Sequence, residues 1–195
     1  MRVLFVGINP GIRSALTGHH FAGYSNRFWK LLGESGLVPA PVSSLDDDRL
    51  PEWGFGITNL IARPTRGIEE LTPEEYVAGR ATLERKIRRY APQVVALVGL
   101  TLARSLLRDT PRLVGTRGER ATRAVPPARM PSDRRTTAGA IPLGPHPDRL
   151  AKTPVFVLPN PSGRNAHYSH ARMLDAFRDL KRYLDEHPAA SRAGG

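Results

Sequence analysis

The chain holds no cysteine. Disulfides, thiol nucleophiles and cysteine-ligated iron–sulfur clusters are excluded with it. It also lacks any apolar run near the roughly 18 residues that a membrane-spanning helix needs. The first apolar run is a few residues long and leads straight into a glycine turn, so no secretory leader is expected. Acidic residues are scarce: 18 Asp or Glu stand against 29 Lys or Arg, a formal net charge of +11. A surplus of that size suits a polyanionic partner such as DNA, RNA or an anionic membrane, and it also suits a merely solubilising surface. At 195 residues, 40% hydrophobic and 24% charged, the chain has the length and composition of one globular domain with a sizeable core.

What is present is a rhythm of apolar runs cut off by turns. Val3-Leu4-Phe5-Val6 ends in Gly7-Ile8-Asn9-Pro10-Gly11, a buried strand stopped by residues chosen for backbone shape. A polar, glycine-rich loop over 7–24 follows. Ser25 is placed to cap a helix carrying Phe28, Leu31 and Leu32, which Gly36 ends. Residues 37–53 read as a loop with one short helical turn, and Asp46-Asp47-Asp48 within it as a solvated or capping run rather than a metal site. A second strand, Gly54 to Ile61, precedes the capping box Thr72-Pro73-Glu74-Glu75 and a helix to about Tyr90. A third strand, Val94–Gly99, leads to a short helix capped by Thr101. A fourth, Pro154–Leu158, runs into Pro159-Asn160-Pro161-Ser162-Gly163. Met173, Phe177, Leu180 and Leu184 recur at helical spacing, and residues 187–195 read as a frayed tail.

Continuous apolar strands alternating with helices predict an α/β fold: a three-layer α/β/α sandwich around a four-stranded, mainly parallel sheet. The whole of 1–186 reads as one domain. Residues 109–153 break the rhythm with nine Lys or Arg against four Asp or Glu and seven of the 18 prolines. That segment is expected to be a long irregular insertion, either a basic arm that follows phosphates or a passive surface loop. In a parallel sheet the loops after the strands gather at one edge, so Asn9, Thr58-Asn59, Gly99 and Asn160 to Ser162 are expected to meet there.

Several standard sites are absent. No Lys-Ser/Thr pair follows the first turn, so it is not a phosphate-binding loop, and the three spaced glycines of a dinucleotide fingerprint are missing. There is no Gly-x-Ser-x-Gly elbow. His19-His20 and His167/His170 lack a zinc-binding pattern, so no metal is expected.

The motifs that remain carry a resemblance. Gly7-Ile8-Asn9-Pro10-Gly11, Thr17-Gly18-His19-His20-Phe21, Asn26-Arg27-Phe28-Trp29-Lys30, Thr58-Asn59-Leu60, Arg63-Pro64-Thr65 and Asn160-Pro161-Ser162-Gly163 together resemble the mismatch-specific uracil/thymine DNA glycosylases. This is the second family of the uracil-DNA glycosylase superfamily. The resemblance runs from residue 3 to about 108 and resumes over 154–184. It implies a monofunctional glycosylase of base excision repair that works without a cofactor, as a monomer in the cytoplasm at the nucleoid, on double-stranded DNA containing uracil or mismatches. By the same resemblance the Asn9 amide holds the attacking water and Phe21 stacks on the flipped base. Ile8, Ser14, His20, Asn26, Thr58 and Asn59 complete the base pocket. The DNA-facing loop comprises Asn160, Ser162, Gly163, Arg164, Asn165 and His167, with Gly163-Arg164-Asn165 as the wedge that fills the emptied stack.

Departures from the family pattern cut both ways. Arg164 and His20 match the thymine-acting branch, whereas Ser14 replaces the small apolar residue of that branch. Uracil opposite guanine is therefore the expected substrate, with thymine weak or absent. Three alternatives stay open from the sequence. One is a sister glycosylase acting on single strands or other bases, another a non-catalytic DNA-binding relative, and the third an RNA-binding or nucleotide-hydrolysing α/β protein.

Overall fold

The computed structural model describes residues 1–39, 41–107 and 141–188. Five strands form one sheet: β1 Val3–Gly7, β2 Phe55–Asn59, β3 Val94–Val98, β4 Gly144–Leu150 and β5 Thr153–Leu158, in the order β2-β1-β3-β5-β4. β1, β2, β3 and β5 run parallel, with Val3 opposite both Phe55 and Val94, and Val95 opposite Val155. All of β1 and β3 is buried, as unbroken apolar runs with helices on both faces require.

The expected four strands become five. β4, Gly-Pro-His-Pro-Asp-Arg-Leu, pairs antiparallel with β5 at the sheet edge, inside the segment expected to be irregular. Its two prolines and near absence of apolar residues conceal it, and both are compatible with an edge strand. The pairing is irregular between His146 and Arg149. Residues 109–140 of the basic insertion lie outside the described residues, and so does the tail beyond residue 188. His187 is not frayed: its N–H donates to the Tyr183 carbonyl at 3.0 Å, and its ring stacks on Tyr183.

Two cores sandwich the sheet. On one face Phe5, Phe55 and Phe156 meet Phe28 and Leu32 of α2 (Phe28–Glu34) and Phe177 and Leu180 of α5 (His170–Glu186). On the other, Leu4, Val6 and Val95 meet Leu83 and Ile87 of α3 (Pro73–Tyr90) and Leu102 and Leu106 of α4 (Leu100–Leu107). Burying each such side chain fully stabilises the fold by about 1.5–3 kcal/mol before chain entropy is counted. The three-layer α/β/α architecture is therefore as the sequence predicts.

The helix ends show where local chemistry decides. The Thr72–Glu75 capping box forms as expected. Gly79 brings α3 against β2, for a Cβ there would stand 2.5 Å from the Leu60 carbonyl oxygen. Ser25 does not cap α2: the N-cap position is Arg27, without a side-chain cap bond, and Asn26 Oδ1 accepts the Phe28 N–H at 3.0 Å. α4 begins at Leu100, one residue before the expected cap. The loop expected over 7–24 contains a helix, α1 (Ile12–Thr17), with no buried residue and hence no apolar periodicity to betray it. The expected helical turn in 37–53 is a 3-10 helix, Ser44–Trp53, in which Ser43 and Asp46 cap each other.

Candidate functional site

The carboxyl ends of β1, β2, β3 and β5 open into one cleft of about 1170 Å³. Beyond the strands, the turn after β1 and the loop after β2 stay zipped together. Leu60 N–H donates to the Gly7 carbonyl at 2.9 Å, Ile61 N–H to Ile8 at 2.8 Å, and Thr65 N–H to Pro10 at 3.3 Å. Asn9 projects across this seam. Its Nδ2 donates to the Arg63 carbonyl at 3.1 Å and to Thr65 Oγ1 at 2.7 Å. A backbone carbonyl only accepts, so the atom facing Arg63 must be the amide nitrogen. Among the described residues no donor reaches Asn9 Oδ1, which leaves an oriented acceptor in the cleft wall.

Arg63 is braced in turn. Its guanidinium bonds both carboxylate oxygens of Glu75, at 2.7 and 2.8 Å, and the Glu70 carbonyl at 2.8 Å. That fork, with the Thr72 N–H, holds the Glu75 carboxyl down to about 2. The acceptor of Asn9 is thus tied to the first turn of α3.

Phe21 forms the opposite wall. Its ring stacks on Phe28 at 4.2 Å, and Phe28 is wholly buried behind it. Phe21 has a φ of 52°, the left-handed region that a bulky residue rarely occupies. The flanking backbone over-determines it. Asp47 Oδ2 accepts the His20 N–H at 2.9 Å, and the His20 carbonyl accepts Trp29 Nε1–H at 2.9 Å. The Ala22 N–H donates to Ser14 Oγ at 3.1 Å, and the Ala22 carbonyl accepts Arg13 Nε–H at 2.8 Å. Side chains from α1, α2 and the 3-10 helix therefore fix one strained residue. Between the walls, Gly7 forms the floor. A Cβ there would lie 2.7 Å from Asn59 Oδ1 and 3.3 Å from Phe21 Cζ, so only glycine fits.

The loop after β5 closes the third side. Asn160 Oδ1 accepts the Ser162 N–H, Asn165 Nδ2 donates to the Asn160 carbonyl, and Ser162 Oγ accepts the Arg164 N–H. Arg27 clamps the loop to α2, donating from Nη2 to the carbonyls of Ser162 and Asn165 at 3.3 Å each. The Arg164 side chain stays exposed, with no carboxylate partner among the described residues. Among the described residues Arg13, Arg66, Arg104 and Arg164 all line the cleft, against one lining carboxylate, Glu69. The cleft is therefore electropositive, as a polyanion site requires.

His20 also lines the cleft. Burial pushes its imidazole below the ordinary 6.5. Lys86 and His19 act in the same direction and Asp47 opposes them, so the ring is neutral at pH 7. No three potential metal ligands gather among the described residues. No helix among them is long and apolar enough to cross a membrane.

Of the expected site residues, the structure gathers Ile8, Asn9, Ser14, His20, Phe21, Asn26, Asn59, Asn160, Ser162, Arg164, Asn165 and His167 around this cleft. It leaves out Thr58, which is 7% exposed and whose hydroxyl takes a bond from Lys86 Nζ at 2.7 Å. Thr58 follows the alternation of β2, so its side chain leaves the sheet on the face opposite to that of Asn59. Gly163 does not line the cleft either. It permits a close approach, since a Cβ there would come 2.3 Å from the Cβ of Ser25. Sequence reasoning assigned no role in the site to Thr65, although Arg63-Pro64-Thr65 follows the end of β2, and that position just past the carboxyl end of a parallel strand was the available signal.

A family model described as the uracil DNA glycosylase superfamily matches residues 1–184. A G/U mismatch-specific uracil DNA glycosylase of Schizosaccharomyces pombe is 50% identical over 93 residues, which is 47% of this chain and 29% of that relative. The match thus spans under a third of the relative's length.

Proposed function

Since the chain belongs to the uracil DNA glycosylase superfamily, we propose that it hydrolyses the N-glycosidic bond of uracil flipped from duplex DNA, most readily opposite guanine. Thymine opposite guanine is a poor substrate or none. The observation that carries this reading is the oriented Asn9 amide facing the cleft opposite Phe21. The C1′–N1 bond breaks, its electron pair leaves with the base as an anion, and the sugar gains oxocarbenium character. A water that donates a hydrogen bond to Asn9 Oδ1 adds to C1′ and releases its proton to solvent, where the departed base anion is neutralised. An amide is a weak base, but so electrophilic a carbon needs placement more than base strength. The arginine-lined cleft favours the anionic leaving group and the DNA that bears it.

Phe21, backed by Phe28, offers the extrahelical base a rigid face. Flipping takes a few kcal/mol, least at a mismatch. Arg164, on a loop braced by Arg27, fills the gap and donates to the guanine left behind, whose O6 and N7 accept from arginine. No cofactor enters the reaction. The protein works as a monomer on double-stranded DNA, in the cytoplasm at the nucleoid.

The test is incubation in chelator with labelled G:U duplex and with single-stranded uracil DNA, followed by alkaline cleavage of abasic sites. Strand breaks from the G:U duplex are expected. Their absence from both substrates rejects the reading, and a faster reaction on the single strand replaces it with a single-strand specificity. Arg164→Ala is expected to weaken binding to G:U duplex, measured by fluorescence anisotropy.

A further inference from the structure

Next to the base pocket lies a feature that excision itself does not use. Tyr24 is 90% exposed, the most exposed large hydrophobic side chain among the described residues. It lies on the segment joining Phe21 to α2, and the Arg13 guanidinium sits over its ring at 3.6 Å from the centroid. Arg13 is not loose. Its Nε is bonded to the Ala22 carbonyl at 2.8 Å, so the guanidinium is held by one hydrogen bond and one cation–π contact. Its terminal nitrogens keep their donors free among the described residues, and no carboxylate pairs with it there. Arg49, Arg63 and Arg80, by contrast, each hold a carboxylate. Arg13 also lines the cleft.

Neither residue is placed by burial. α1, which carries Arg13, contributes nothing to the core, and Tyr24 contributes almost no contact area. An exposed aromatic held against a tethered cation whose terminal donors have no partner among the described residues, at the rim of a cleft, is the chemistry that recognises a nucleic-acid strand. The guanidinium takes a phosphate, and the ring takes the face of a base. Much of the ordering that such a contact demands is already done in the free protein.

We propose that Arg13 and Tyr24 form a contact site for the strand carrying the flipped nucleotide. Arg13 binds a backbone phosphate beside that nucleotide, and the free face of Tyr24 stacks on a neighbouring base. This rests on the DNA reading above and extends the bound strand beyond the base pocket. Because Arg13 and Ser14 hold the two backbone groups of Ala22, engagement of the strand is mechanically continuous with the segment that carries Phe21.

The experiment measures Kd by fluorescence anisotropy for a labelled G:U duplex whose uridine bears a 2′-fluorine to slow bond breakage, over a series of salt concentrations. Tyr24→Ala is expected to raise Kd roughly five-fold or more, the range for losing one base–aromatic stack, and Tyr24→Phe to stay within about two-fold of the parent. Arg13→Gln is expected to weaken binding and to make the slope of log affinity against log salt shallower by about 0.9, the value for one phosphate contact. Val77→Ala, which trims a 73% exposed apolar side chain on α3, is expected to leave Kd unchanged. A parental Kd for Tyr24→Ala, or an unaltered salt slope for Arg13→Gln, overturns the proposal while leaving the glycosylase reading intact. Parent protein that neither binds nor cuts the corresponding unfluorinated duplex instead rejects the reading on which it rests.

Discussion

Asn9 Nδ2 lies 2.7 Å from Thr65 Oγ1, and Thr65 in turn lies 2.8 Å from the Gly67 carbonyl oxygen. The Thr65 hydroxyl has one proton, and Gly67 can only accept it, so the hydroxyl must accept from Asn9. The chain therefore has one direction, and it fixes which end of the Asn9 amide faces the cleft. Thr65 is 3% exposed, so no bulk water takes over if its hydroxyl is removed. Asn9→Ala is expected to abolish most turnover while duplex binding persists. Thr65→Val, similar in shape, is expected to slow single-turnover excision by roughly ten- to a hundred-fold through loss of alignment, with Thr65→Ser recovering most of the rate. Parental rates for Thr65→Val in a folded protein would falsify the orienting role.

Gly7 gives a second prediction, because its missing side chain separates two cleft groups. A Cβ at this position meets Asn59 Oδ1 at 2.7 Å and Phe21 Cζ at 3.3 Å. Phe21 has little room to retreat, being stacked on Phe28 and flanked by two side-chain-to-backbone hydrogen bonds at His20 and two at Ala22. The strain is relieved within the cleft rather than in the core. Gly7→Ala is expected to reduce excision of uracil by about ten-fold or more while thermal stability falls by only a few degrees. A melting temperature that collapses together with activity would place the residue in the fold instead.

The strands that build this cleft were legible because each is an unbroken apolar run ended by a turn. Val3–Val6, Val94–Val98 and Val155–Leu158 have no polar residue to confuse the period. β4 was illegible for the opposite reason: an edge strand needs neither alternation nor burial, and Pro145 and Pro147 read as breakers. α1 was hidden because it buries nothing. Within the site, Asn9, Phe21 and Asn160 were legible from position at strand ends and from resemblance. The Asp47 carboxylate that holds His19 and His20 was not, since contacts across 27 and 28 residues leave no local trace. Thr58 and Asn59 are adjacent in sequence, yet strand alternation puts only Asn59 into the cleft.

His20 supplies the pH prediction. Its folded imidazole titrates below 6.5, chiefly because of burial. Well above 6.5 it is neutral whether folded or unfolded and contributes nothing to pH dependence. Below 6.5 the unfolded chain takes up a proton that the folded one resists, so stability falls as pH drops toward the folded value. Urea midpoints measured from pH 8 to pH 5 are expected to decline on the acid side for the parent. His20→Asn is expected to decline less over the same interval. Identical profiles for the two proteins would show that the ring titrates as it does in water.

The proposed selectivity against thymine assigns the discriminating role to Ser14. Its Oγ accepts the Ala22 N–H at 3.1 Å, which fixes a hydroxyl in the wall of the cleft rather than leaving it free to swing away. Uracil presents a C5–H and thymine a C5-methyl. A tethered polar atom beside that methyl loses hydration without gaining a partner, whereas an apolar wall would welcome it. Ser14→Ala makes the wall apolar and smaller, but it also leaves the Ala22 N–H without its acceptor, so the absolute rate on G:U is expected to fall. The informative quantity is the ratio of single-turnover rates on G:T and G:U, which cancels damage common to both substrates. One methyl in a hydrophobic pocket is worth about 1–3 kcal/mol, so the ratio is expected to rise by roughly ten-fold or more. A parent protein that already excises thymine as fast as uracil, or a ratio unmoved by the substitution, rules out Ser14 as the discriminating residue.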